Sequence, residues 1–172
     1  MPRPLLASAP ARAMVRRDVA ARKVARAAAW LDEAEAILSK PITAFVKDIR
    51  DRDLAAFYLL LGIQEAIDVA AHWVADAGWG PPDDASSTFD VLADHDVIDR
   101  TLAEALHRAV GLRNRIAHGY ARIDHARLHA EATELSQSKH ERRNFSDTTI
   151  AAEKTVLSAF CFVFGLLRRI CG

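Results

Sequence analysis

Apolar positions recur every three to four residues along most of this chain, so the pattern predicts helices rather than strands. From about Arg17 to Leu38, the residues Val24, Ala28, Leu31, Ala34 and Leu38 return to one face, and Pro41 ends the run. A second helix is expected from Asp53, as N-cap, to Ala77, with Gly78 as its stop. On it Leu60, Ile63, Ile67, Ala71 and Val74 make one face, while Leu54, Tyr58, Leu61, Glu65, Asp68 and His72 make another. A helix apolar around so much of its circumference belongs in a core, and three ionisable groups beside core residues read as a satisfied polar network or the edge of a site. Gly80-Pro81-Pro82-Asp83-Asp84 is a loop, and Ser87-Thr88-Phe89-Asp90 reads as a capping box that opens a short helix with Val91 and Leu92. Asp99 caps the next helix, where Leu102, Leu106, Ala109 and Arg113 lie along one side. Past Asp124 a further helix should carry Leu128, Ala132 and Leu135. Residues 136–149 are polar and charged, and Thr155 to Ile170 is densely apolar, a buried or interface helix whose Phe160, Phe162 and Phe164 read as core.

Composition agrees with an all-α protein: half the residues are hydrophobic, and 7 glycines and 6 prolines are too few for a turn-rich sheet protein. The expected layout is a basic, disordered tail over 1–16, a helical bundle over 17–135, and a polar linker with a C-terminal apolar helix over 136–172. The acid-free start is too interrupted for a secretory signal, and Met14 is an alternative first residue. No apolar run is expected to cross a bilayer. Cys161 and Cys171 lack metal-site spacing and read as reduced thiols, so a cytosolic protein without metal or cofactor is expected.

Net charge is zero, which offers no global attraction to nucleic acid, but the charge is not evenly spread. Between His107 and His129 lie Arg108, Arg113, Arg115, Arg122 and Arg127 against Asp124 alone, whereas Asp83 to Asp99 holds six aspartates and no lysine or arginine. Solvated helix faces produce such blocks as readily as binding surfaces do. Within the basic zone, Arg113-Asn114-Arg115-Ile116-Ala117-His118-Gly119-Tyr120 combines a guanidinium, which holds a phosphate bidentately, with an imidazole that moves protons near neutral pH. The ordinary alternative is a helix end, with Arg and His complementing the macrodipole and Gly119 at the C′ position. Five residues correspond to about 140° of helical turn, so Arg113 and His118 do not share a face. Either the helix loosens before Gly119, or the two groups converge from two copies across a symmetric contact.

These residues carry a resemblance. The segment from Tyr58 to His72, then Gly80-Pro81-Pro82, the short helix with Leu92, Gly111 through Tyr120, and Ile123-Asp124 follow in the order seen in HepT-like proteins of the HEPN superfamily. The superfamily carries an arginine, four to six residues, then a histidine. The resemblance covers roughly residues 15 to 130, and beyond about residue 136 the chain is longer and more apolar than the pattern. It implies an up-and-down helical bundle that dimerises with both motifs at a shared cleft. It implies a metal-independent endoribonuclease, the toxin of a type II toxin–antitoxin pair whose partner is a small MNT-type nucleotidyltransferase. That partner is expected to silence the nuclease by adding AMP to Tyr120.

On this reading His118 and Arg113 are the catalytic pair, with Asn114 and Asp68 in support, and Arg108, Arg115 and Arg122 contact the RNA backbone. The alternatives are a non-catalytic helical interaction module and a nucleotide-binding regulator that uses Arg113 without cleavage.

Overall fold

The computed structural model describes residues 9–119 and 123–130, with side chains from Val19 onward. It is all-helical over these residues: α1 (Ala9–Leu38), α2 (Ile42–Phe45), α3 (Ile49–Ala77), α4 (Ser87–Asp94) and α5 (Arg100–Gly119), then a helical stretch over 125–130. The expected C-terminal helix and linker, both cysteines, Tyr120 and Arg122 lie outside the described residues.

α1 and α3 form the central hairpin. Ala27, Leu31 and Ala34 on α1 and Ala55, Ala56, Leu59, Ile63, Ala66 and Ala70 on α3 are buried at its seam. Small residues let the two backbones approach closely, and Gly62 is a point of close approach: a Cβ there would lie 2.6 Å from Leu31 Cγ. Each fully buried leucine or isoleucine of this core contributes about 1.5–3 kcal/mol relative to exposure. α4 and α5 close the other side of α3 with Phe89, Leu92, Leu106, Ala109 and Ile116. Trp30 of α1 stacks on Tyr58 of α3, ring centroids 5.5 Å apart, where the hairpin seam meets its edge.

Several helix boundaries differ from those read off the periodicity. α1 begins at Ala9, so residues 9–16 of the expected tail are helical, consistent with their alanine and arginine content. α3 begins at Ile49, because Asp48 and not Asp53 is the cap: its carboxylate accepts from the backbone N–H of Arg50 and Asp51. The capping box lies at Asp84 and Ser87, three residues before its expected place. The Ser87 N–H donates to Asp84 Oδ1 at 2.7 Å, and the Asp84 N–H donates to Ser87 Oγ at 2.9 Å. Asp99 caps α5 as expected, accepting from the Leu102 N–H at 2.7 Å. Asp124 caps the following stretch in the same way, accepting from the Arg127 N–H at 3.0 Å.

α3 and α4 end alike. Gly78 (φ 71°) and Asp96 (φ 57°) adopt the left-handed conformation, and the next residues, Trp79 and Val97, donate back to Val74 and Leu92. Trp79 then stacks on His95 with ring centroids 3.9 Å apart, tying the two helix ends together.

The expectation that nothing is apolar enough for a bilayer needs correcting for α3, which meets that criterion by length and composition. Many of its apolar residues are buried in the core, although Ile49 and Phe57 are exposed, and Glu65 and Asp68 face α1. Lys23 Nζ lies 3.3 Å from Glu65 Oε2 and 3.0 Å from Asp68 Oδ2, and Arg26 Nη1 lies 3.0 Å from Glu65 Oε1. Burial disfavours the Lys23 ammonium, but hydrogen bonds and charge from Asp68 and Glu65 outweigh it and hold its pKa above the usual value. Glu65 and Asp68 thus belong to a satisfied network.

Candidate functional site

The motif residues are presented by the last two turns of α5. Leu112 and Ile116 are buried against the bundle and fix the helix rotation. With that face committed to the core, Arg113, half-buried, lies beside α3, while Asn114, Arg115 and His118 are exposed.

Arg113 is held on one side. Its Nε–H donates to Gln64 Oε1 of α3 at 2.9 Å, and Nη1 donates to Asn114 Oδ1 at 3.1 Å. Gln64 Nε2 in turn donates to Asp68 Oδ1 at 2.9 Å. Asp68 therefore reaches Arg113 through Gln64 and not directly, and Asn114 touches the arginine itself. Gln64 was not among the expected site residues. Its position four residues before Asp68, on the same helical stripe, is the signal that points to it.

His118 stands elsewhere. α5 remains α-helical through Gly119, so the helix does not loosen to bring His118 round to Arg113. Gly119 is helical, without the left-handed conformation of a C′ glycine, which removes one support from the helix-end alternative. In one chain the two side chains are separated by about 140° around the axis and about 7.5 Å along it.

On its own side His118 borders an open cavity of about 450 Å³. Leu112, Ile116, Ile123 and Leu128 form the apolar floor, and Arg115, Arg127 and Asp124 join His118 at the polar wall. Arg113 does not line it. Of the arginines expected to meet a phosphate backbone, Arg115 is at this cavity, and Arg108 is exposed on α5 and already engaged in an interaction. Among the described residues no group of His, Cys, Asp or Glu side chains is arranged to hold a metal ion.

One residue beyond Leu128 of this cavity, His129 is buried with Nε2 2.6 Å from the Lys40 carbonyl and its ring 5.2 Å from Phe45. This histidine docks the 125–130 stretch on the core. His125 is partly buried, and its pKa lies below the ordinary value because burial disfavours the cation and Arg52 repels it, with Asp53 and Asp124 opposing.

Residues 29–142 match the model of the family described as Ribonuclease HepT-like. Two proteins of Archaeoglobus fulgidus, each named "Putative RNase", are similar. One is 42% identical over 69 residues, 40% of this chain and 52% of the relative; the other is 30% identical over 94 residues, 55% of this chain and 70% of the relative. The first match thus spans about half the length of that relative. Among solved structures, a toxin–antitoxin with AMP-PNP shares the fold with a TM-score of 0.60 at 20% identity, covering 87% of this chain and 96% of that one. A mutant of the toxin–antitoxin MntA-HpeT gives 0.57 at 20% identity with the same coverage. This chain, all-helical over its described residues and with the HEPN fold, belongs to the HepT-like ribonuclease family.

Proposed function

We propose that this protein is the toxin of a type II toxin–antitoxin pair and a metal-independent endoribonuclease of the cytoplasm. The observation that carries the reading is an arginine braced at the surface by Gln64 and Asn114, one and a half turns before an exposed histidine on a basic helix end. His118, neutral, takes the proton of a ribose 2′-hydroxyl. That oxygen attacks the adjacent phosphorus, the 5′-oxygen leaves with a proton, and a 2′,3′-cyclic phosphate remains. Arg113 stabilises the charge gathering on the phosphoryl oxygens. The reaction requires the 2′-hydroxyl, so RNA is cut and DNA is spared. Arg108, Arg115 and Arg122 add salt-sensitive affinity for the backbone.

Because α5 sets Arg113 and His118 on different faces, a complete site draws Arg113 from one copy and His118 from another in a homodimer. The partner is a nucleotidyltransferase antitoxin that joins AMP to Tyr120. Purified protein incubated with labelled RNA, with and without EDTA, tests the central claim. Cleavage should persist in EDTA and fall at least about 100-fold in both Arg113→Ala and His118→Ala. Mixing the two inactive variants should restore activity through hybrid dimers that hold one intact site. A variant that cuts like the parent removes its residue from the mechanism, and failure of the mixture to recover removes the shared site.

A further inference from the structure

The polar residues of the α1–α3 seam form a line that ends on the motif arginine. Lys23 Nζ donates to Asp68 Oδ2 at 3.0 Å, Gln64 Nε2 donates to Asp68 Oδ1 at 2.9 Å, and Arg113 Nε–H donates to Gln64 Oε1 at 2.9 Å. The Gln64 amide has one workable orientation. A carboxylate only accepts and a guanidinium only donates, so reversing the amide would set N–H against N–H and oxygen against oxygen. Asp68 thereby dictates that Gln64 presents its oxygen to Arg113. Glu65 is already satisfied by Lys23 and Arg26. A network that served the hairpin alone would be complete there, without the step across to α5.

The contact also selects an edge of the guanidinium. Gln64 occupies Nε–H, and Asn114 takes a proton of Nη1. The remaining donors lie on the Nη end, the edge that can face two phosphoryl oxygens. The geometry points to Gln64 as the positioning residue of Arg113, with Asp68 and Lys23 as its anchors. Its effect on catalysis rests on the ribonuclease reading above; the bracing of Arg113 does not.

Two measurements on the full chain separate these claims. In the first, the Arg113 Nε–H resonance is assigned by its disappearance in Arg113→Lys, and its solvent exchange is followed by NMR. The parent should show protection and Gln64→Leu should lose it. Unchanged protection in Gln64→Leu with native helical content overturns the proposal. The second is single-turnover RNA cleavage. Gln64→Leu should lower the rate on the order of 100-fold, the scale of a misplaced catalytic group, with less change in KM. In the Arg113→Lys background the same substitution should add little, because both act through one side chain. A full second loss means that Gln64 works independently of Arg113 and overturns the assignment. If the parent cleaves no RNA, the ribonuclease reading fails, and the exchange measurement still decides whether Gln64 braces Arg113.

Discussion

Replacing Gly62 with alanine sets two well-defined effects against each other. Inside a helix, alanine is favoured over glycine by about 1 kcal/mol, so propensity alone predicts a more stable protein. At this position the new Cβ would stand 2.6 Å from Leu31 Cγ, 2.7 Å from Leu31 Cδ2 and 3.5 Å from the Ala27 carbonyl oxygen. Carbon atoms rest roughly 3.5–4.0 Å apart, so the seam must open by about 1 Å. Leu31 is fully buried and the clash reaches its Cγ, near the root of the side chain, so a change of rotamer tip does not relieve it. The helices themselves must move. Overpacking of this kind costs about 1–3 kcal/mol, and a double clash in a closed seam lies at the upper end. Subtracting the propensity gain leaves a net loss of about 1–2 kcal/mol. Urea unfolding followed by far-ultraviolet circular dichroism measures it. A second arm fixes the cause: in a Leu31→Ala background the methyl group enters vacated space, and Gly62→Ala should there be neutral or stabilising. A gain in stability in the parent background would refute the close-approach argument, and equal losses in both backgrounds would place the cost elsewhere.

Three further outcomes are expected. Co-expression with a cognate nucleotidyltransferase should add one or more AMP masses to Tyr120, whose new charge and bulk oppose an RNA phosphate near Arg113; Tyr120→Phe should stay active yet escape silencing, and intact mass spectrometry of an inactive but unmodified complex would point to masking instead. His125 has a folded-state pKa below its unfolded value, so the unfolded chain takes the proton first as pH falls; the stability it contributes is whole above about 6.5 and declines as pH drops through the folded pKa. Urea midpoints at about pH 7.5 and about pH 5.5 should therefore differ less in His125→Gln than in the parent, and equal differences would contradict the assignment. Asp96 holds a left-handed conformation that favours glycine, so Asp96→Gly should raise stability by about 0.5–1 kcal/mol in thermal unfolding, and a fall would show that its side chain matters more than its backbone.

The apolar spacing of Val24, Leu31, Ala34 and Leu38, and of Ile63, Ile67 and Val74, determines by itself that these segments are helical and, for α1, which face is buried, because a 3.6-residue period leaves one stripe for the core. On α3, apolar around most of its circumference, Leu60 and Ala71 of the expected face are only partly buried while Leu59, Ala66 and Ala70 are buried, a choice that packing made. Arg113 and His118 stand out in the sequence as candidates for a chemical reason: their side chains suit phosphate binding and proton transfer wherever they sit. Caps were less legible. Asp48 and Asp53 are equally good caps by residue type, and Asp84 competes with Ser87, so only the backbone path chooses between them. Tertiary packing alone decided that Arg113 meets Gln64, 49 residues earlier, since nothing local relates α3 to α5. The angle between Arg113 and His118 follows from their spacing on an α-helix; the structure decided only that α5 stays helical through Gly119 and does not loosen to unite them.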